Sequence, residues 1–305
     1  MPSPHSAHSH SHSHSHANSG AGRRLSIALA ITLLLLVGEA IGGWMANSLA
    51  LLADAGHVLT DGAALMLALF VTWLARQPGS DAKTFGYLRW EILAALFNAM
   101  TLLLISVWIV VEAVLRFRTP EPVEGGLMFW VAVVGLIGNA ISARILHAGH
   151  AHNLNVRAAY LHVLGDLLAS VGVVIAALLV RYLGWTVADP VASIVTTIFI
   201  VHGAWRLLRE SVDVLLEAAP KHIVLDDVRQ CIAGIRDVEG VHDLHVWTVT
   251  SGMVALSAHA IVRDGHRHQG VLEEAVDRLR SMGINHVTLQ LECADMTDRE
   301  QHLHP

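Results

Sequence analysis

The sequence predicts a helical membrane protein with six transmembrane spans, followed by a small α+β domain that lies outside the lipid. The composition supports the membrane part, because 53% of the 305 residues are hydrophobic and only 15% are charged. A soluble domain carries about 25% charged residues. The order of the segments supports both parts, since long apolar stretches dominate the chain until about residue 212 and polar, alternating segments follow.

The N-terminal tail is polar, and histidine alternates with serine in it from His8 to His16. A segment of such low complexity has no apolar core to bury, so residues 1–22 are expected to be disordered. The tail is interpreted either as an inert linker or as a weak zinc-capturing segment that raises the local ion concentration.

Six apolar stretches follow the tail, and each is long enough to cross a hydrocarbon layer of about 30 Å at about 1.5 Å per residue. The predicted spans are residues 25–46, 48–75, 90–117, 126–147, 158–183 and 187–208. The transmembrane domain is therefore expected to occupy residues 23–212. Arg and Lys are more frequent at the ends on the N-terminal side of the membrane than in the opposite loops. This bias predicts that both termini are cytoplasmic.

The segment after the last span has the patterns of a soluble domain. Two helices and three strands are predicted, at residues 224–235, 242–250, 253–262, 269–282 and 286–292 in chain order. Ser251 and Gly252 form the predicted hairpin turn between the first two strands. The order αββαβ indicates a ferredoxin-like domain. It is expected over residues 213–295, with residues 296–305 as a C-terminal tail.

Ionisable side chains inside two predicted spans form matching pairs. His57 and Asp61 lie four residues apart in the second span, and His162 and Asp166 have the same spacing in the fifth. This spacing places each pair on one helix face. An Asp at the membrane centre costs about 2.5–3.5 kcal/mol on insertion scales, so it normally has a partner. Two imidazoles and two carboxylates suit tetrahedral Zn²⁺. The alternative is that the pairs join helices by hydrogen bonds.

Longer motifs around these pairs resemble the cation diffusion facilitator family, in its zinc-transporting CzcD-like branch. The motifs are SLALLADAGHVLTD (48–61), TFGYLRWEILAALFNA (84–99), LNVRAAYLHVLGDLLASVGV (154–173), VHDLHVWTVTSG (241–252) and HVTLQLE (286–292). The resemblance implies a homodimer that exports Zn²⁺ in exchange for protons, with Cd²⁺ and Co²⁺ as further candidate substrates. It also implies that the transport site consists of His57, Asp61, His162 and Asp166.

The resemblance implies a second zinc site in the soluble domain. Positions that match His242, His259 and Glu292 bind zinc in related transporters, and His286 lies close to a further ligand position. These four residues are therefore expected to be ligands at the cytoplasmic dimer interface, and the alternative is a set of surface residues on a sheet. Zinc bound there is expected to favour one state of the membrane domain by linkage.

The sequence lacks the signals that are typical of several other classes of protein. The net charge of −6 does not provide the basic surface of a nucleic-acid-binding protein. Neither Lys83 nor Lys221 follows a glycine, so there is no Walker A motif and ATP is not expected to drive transport. The absence of an HExxH motif argues against a membrane zinc hydrolase. No organic cofactor is expected.

Two functions therefore remain open on the sequence alone. The first is a proton-coupled zinc exporter, and the second is a membrane zinc sensor or scaffold with the same ligands but no turnover. The lack of a transit sequence favours a bacterial inner membrane as the location.

Overall fold

The computed structural model describes residues 15–60, 62, 81, 83–147, 154–250 and 252–293. The chain divides into two compact units. The first unit takes its described residues from 1–63 and 101–204, and the second takes them from 64–100 and 205–305.

Six helices occupy the described residues before the C-terminal domain. They are α1 Ser15–Ala46, α2 Leu49–Thr60, α3 Trp90–Arg118, α4 Gly125–His147, α5 Leu154–Leu183 and α6 Ala188–Leu215. Five of these described helices are long and apolar enough to cross a membrane, and α2 is shorter over the residues that can be described. The continuation of the second predicted span to residue 75 lies outside the described residues. The predicted helical membrane domain is confirmed.

Helix α1 begins earlier than the sequence predicts. It begins at Ser15, inside the stretch that was expected to be disordered up to residue 22. Ala and Arg residues just before the apolar part of the helix, such as Ala21 and Arg23, are strong helix formers. Adding turns to an existing helix also avoids the cost of nucleation. The histidine-rich residues 1–14 lie outside the described residues.

Small residues bring the helices of the first unit close together. Helix α4 packs against α1 and α5. The main cluster between these helices contains Ala132, Ala176 and Ala177 beside Met128 and Val173. Small side chains allow close packing of membrane helices, where apolar burial gives little driving force. Large apolar side chains are instead exposed on the outside, as expected for a surface that faces lipid: Leu34, Leu104, Leu168 and Phe199 are examples.

The C-terminal domain in the second unit has the predicted order of elements. Its elements are α7 Leu225–Ala233, β1 Val238–Thr250, β2 Met253–Val262, α8 His268–Ser281 and β3 His286–Glu292. Strands β1 and β2 are antiparallel, and β3 lies parallel to β2, so the sheet order is β1-β2-β3. Gly252 occupies the hairpin turn with φ of 79°, a left-handed conformation that favours glycine. The predicted αββαβ domain is confirmed.

The core of this domain lies between the sheet and its two helices. The largest buried side chains on the helix side are Val228 and Ile232 from α7 and Leu279 from α8. They pack with Leu256 of β2 and Ile284, which precedes β3. The sheet is therefore supported on one face by the helices, which fixes the positions of side chains near its strand ends.

Candidate metal sites

Three of the four predicted transport-site residues lie together in the first unit. His57 is on α2, whereas His162 and Asp166 are one turn apart on α5. Asp166 Oδ1 is 3.8 Å from His57 Nε2, and Asp166 Oδ2 is 3.6 Å from His162 Nε2. One ligand atom from each residue lies within 4.8 Å of the others. The fourth residue, Asp61, lies outside the described residues.

The spacing of this group suits a small divalent ion. Tetrahedral zinc with bonds of about 2.0–2.2 Å to nitrogen and oxygen requires neighbouring ligand atoms about 3.3–3.6 Å apart. The separations of 3.6 and 3.8 Å between Asp166 and the two histidines are close to this requirement. The Asp166 side chain is 11% exposed, whereas that of His162 is 50% exposed. The carboxylate is therefore the buried member of this pair, and the imidazole lies at its more accessible side.

Polar groups of α5 itself and of neighbouring helices surround Asp166. The Ser170 hydroxyl donates to the Asp166 carbonyl oxygen at 2.8 Å, and Asn139 Nδ2 on α4 donates to the Ser170 hydroxyl at 3.0 Å. Two further carboxyls, Glu39 on α1 and Asp54 on α2, are buried near Asp166, and carboxylates in such a group repel one another when all are ionised. The site is thus surrounded by polar groups from α1, α2, α4 and α5.

A second group of ligand residues lies on the sheet of the C-terminal domain. His242 on β1 pairs in register with His259 on β2, and Glu292 ends β3 beside them. His242 Nε2 is 3.2 Å from Glu292 Oε2, and His259 Nδ1 is 3.2 Å from Glu292 Oε1. The Glu292 side chain is only 2% exposed. Two imidazoles and a buried carboxylate at these distances form a donor set that fits Zn²⁺.

Asp243 lies beside this group, at a position that the sequence pattern does not predict. An alternating strand would point Asp243 away from its neighbour His242. The pairing of β1 with β2 is irregular between His242 and His245, and Asp243 has φ of 49°. This bulge turns the Asp243 carboxylate toward the histidines, 2.9 Å from His245 Nε2 and 3.6 Å from His259 Nε2.

His286 does not join the other three predicted ligands. It begins β3 and pairs with Ala255, whereas the site lies near the pair of His259 and Gln290. Glu292 lies six positions after His286, or about 20 Å at the rise of an extended chain. The His286 ring instead packs edge-on against Phe85, with ring centroids 5.7 Å apart.

These features define a class of protein, a multi-pass helical membrane protein with one ligand group among its membrane helices and a second on an attached α+β domain. Residues 25–216 match the family description "Cation efflux transmembrane domain", and residues 220–294 match "Cation efflux protein, cytoplasmic domain". The chain therefore belongs to the cation efflux, or cation diffusion facilitator, family. Since this is a family of transporters, the expectation that the chain is not an enzyme is confirmed.

Curated relatives cover most of the chain. It is 48% identical over 257 residues to the zinc transporter ZitB of Escherichia coli K12, and these residues are 83% of this chain and 82% of that protein. It is 43% identical over 259 residues to the "Cadmium, cobalt and zinc/H(+)-K(+) antiporter" of Bacillus subtilis, with 83% of each chain covered. It is 42% identical over 272 residues to the metal cation efflux system protein CzcD of Cupriavidus metallidurans, with 88% and 86% covered.

Proposed function

We propose that this protein exports Zn²⁺ from the cytoplasm in exchange for protons and that His57, Asp61, His162 and Asp166 bind the ion during transport. The observation that carries the proposal is the meeting of His57 with His162 and Asp166 within one helical membrane unit. The names of three relatives support it, since they specify zinc transport, cation efflux, or antiport of cadmium, cobalt and zinc with H(+) and K(+). Cd²⁺ and Co²⁺ are accordingly further candidate substrates.

Proton exchange follows from the chemistry of the proposed ligands. Zinc binds neutral imidazole and ionised carboxylate, so zinc and protons compete for the same atoms. An ion that enters from the cytoplasm displaces protons from the site, and protons from the opposite side then release the ion. The half-exposed His162 and the buried Asp166 provide both kinds of ligand in a single turn of α5.

The proposed setting is the inner membrane of a bacterium, with both termini in the cytoplasm. The distribution of Arg and Lys supports this orientation. The C-terminal domain then lies in the cytoplasm, where His242, His259 and Glu292 hold a regulatory Zn²⁺. We also propose that the protein is a homodimer, joined in part through this domain, because the family resemblance implies a dimer.

The proposal is tested by zinc flux into proteoliposomes under an imposed pH gradient. We expect Asp166→Asn to abolish flux, because it replaces an ionised ligand with a neutral one. Glu210→Gln is the matched control, since Glu210 is also an acid on a long apolar helix with an ion-pair partner four residues away, Arg206. Full zinc flux in Asp166→Asn would exclude the proposed site. Zinc binding by the wild type without flux would instead favour a membrane zinc sensor or scaffold.

A further inference from the structure

The first turn of α2 is held by a carboxylate from another helix. Ser48 precedes α2, and its hydroxyl accepts a hydrogen bond from the Leu51 N–H at 3.3 Å. Asp189 Oδ2 accepts from the Leu49 N–H at 2.8 Å, and Asp189 Oδ1 accepts from the Ala50 N–H at 3.1 Å. The first amides of a helix have no partner within the helix. Asp189, which lies at the start of α6, therefore satisfies two amides that α2 cannot satisfy itself.

Asp189 is completely inaccessible to solvent, and its charge is compensated at both oxygens. The Ser48 hydroxyl donates to Asp189 Oδ1 at 2.6 Å, and Arg116 Nη1 on α3 lies 3.5 Å from Asp189 Oδ2. The positive end of the α2 helix dipole adds to this compensation. Hydrogen bonds to an ionised group in a buried setting are stronger than those between neutral groups. This contact is therefore a firm attachment of α2 to α6.

Arg116 extends the attachment to the turn between α1 and α2. Its Nη1 donates to the Asn47 carbonyl oxygen at 2.7 Å, and its Nη2 donates to Asn47 Oδ1 at 2.9 Å. Asn47 has φ of 51°, a left-handed conformation that Asn tolerates better than most residues. The guanidinium of Arg116 is itself buried. The start of α2 is thus fixed by side chains from both α3 and α6.

The attachment lies on the same helix as a proposed zinc ligand. His57 is eight residues beyond Leu49, or about 12 Å along α2 at the rise of an α-helix. A tilt of α2 by about 5° at its start would move His57 by about 1 Å. The other described ligands, His162 and Asp166, are on α5 and would not move with α2.

We infer that Asp189 is a positioning residue for transport, which holds the start of α2 so that His57 meets His162 and Asp166. This inference rests on the proposed function of that site. Asp189 does not contact the zinc ion, and it acts only through the placement of α2. Its loss should therefore weaken zinc binding by the site in molecules that are still folded.

The test measures KM and Vmax for zinc flux in proteoliposomes containing the full chain. Asp189→Asn keeps the size of the side chain but removes the charge and replaces one acceptor oxygen with an amide nitrogen. We expect KM to rise about 10- to 100-fold, because a displacement of about 1 Å of a group in a functional site can cost about 100-fold. A residue that only stabilises the fold would lower Vmax, through fewer active molecules, and leave KM unchanged.

Glu121→Gln is the control for loss of charge near Arg116. Glu121 Oε2 is 3.6 Å from Arg116 Nη2 and accepts a hydrogen bond from Asn47 Nδ2 at 3.0 Å, and its side chain is 51% exposed. Glutamine can keep this hydrogen bond through its amide oxygen, so the substitution removes only the charge. We expect its KM to equal that of the wild type. If Asp189→Asn does not fold, Ser48→Ala replaces it, because it leaves the Asp189 carboxylate in place and removes the hydroxyl that donates to Asp189 and accepts from the Leu51 N–H. We expect this variant to raise KM about threefold to fivefold.

The outcomes separate this inference from the proposed function. If His57→Ala retains full zinc flux, the proposed transport site is wrong. If His57→Ala is inactive but folded Asp189→Asn keeps the wild-type KM, only the positioning role is wrong. A wild-type KM in Ser48→Ala has the same meaning when Asp189→Asn does not fold. An equal rise of KM in Glu121→Gln would also overturn the inference, because a general change of charge would then explain the effect.

Discussion

Zinc bound at the cytoplasmic group should oppose the opening of the sheet. Its three proposed ligands, His242, His259 and Glu292, come from three different strands, so one ion would join all three. A ligand present at 100 times its Kd stabilises the folded state by about 2.7 kcal/mol when it binds only that state. Amides that exchange only when the sheet opens should then exchange about 100-fold more slowly.

The perturbation is Glu292→Gln, and the assay is hydrogen exchange of the full chain with and without zinc. The amides to follow belong to Val246 and Leu256, which are paired and buried in the centre of β1 and β2. Each Glu292 oxygen lies 3.2 Å from one histidine nitrogen, so the substitution removes the charged ligand that both histidines share. We expect zinc to slow exchange less than about 10-fold in this variant at the same concentration.

Glu239→Gln is the matched control for this measurement. Glu239 is also an acid of the same sheet, but its side chain is 45% exposed and pairs with Arg263 at 2.7 Å instead of a histidine. The control should keep the full slowing of exchange by zinc. If Glu292→Gln keeps it as well, the three residues do not bind zinc as a group, and the regulatory site is wrong.

Three further predictions use the same protein preparations. His162→Asp should raise the ratio of Cd²⁺ to Zn²⁺ flux, because an oxygen replaces a nitrogen and weakens the tetrahedral preference; an unchanged ratio in proteoliposomes would contradict this. Asp243→Asn should weaken zinc binding by the cytoplasmic group about 10-fold, because its carboxylate lies beside His259. An unchanged Kd in calorimetry on the full chain would refute this. Gly125→Ala should lower the unfolding temperature, since its Cβ would lie 2.9 Å from the Arg181 backbone nitrogen, and overpacking costs about 1–3 kcal/mol. Gly126→Ala should not lower the unfolding temperature, because a Cβ at this position would meet open space. Equal unfolding temperatures for the two variants would contradict this reasoning.

Local patterns in the sequence were sufficient for most of the elements and for the ligand pair within one helix. The bounds of β2 and β3 agree with the alternation of apolar residues in 253–262 and 286–292. The meeting of His162 with Asp166 follows from helical spacing alone. His286 shows the limit of the same pattern. It lies on the same face of β3 as Glu292, but the position of β3 along β2 places it at the other end of the strand.

Asp243 could not be found from the pattern because its orientation depends on a bulge. Strand alternation assigns it to the face opposite His242, and only the left-handed backbone at this position turns it toward His259. Nothing in the local sequence specifies a bulge here, since its place depends on how β1 pairs with β2. The same pairing brings His242 opposite His259. The ligand group and its supporting carboxylate therefore depend on one irregularity of the hairpin.

Asp189 shows how a local interpretation can be reasonable and still incomplete. An acid in the first turn of α6 would ordinarily be taken to stabilise that helix through its dipole. Its oxygens instead accept hydrogen bonds from amides of α2, about 140 positions earlier in the chain. A buried carboxylate needs donors, and the start of a buried helix needs acceptors, so each removes the cost of burying the other. These hydrogen bonds form only while the start of α2 contacts the start of α6. Asp189 can therefore fix the position of α2 relative to α6, which a cap within α2 alone could not do.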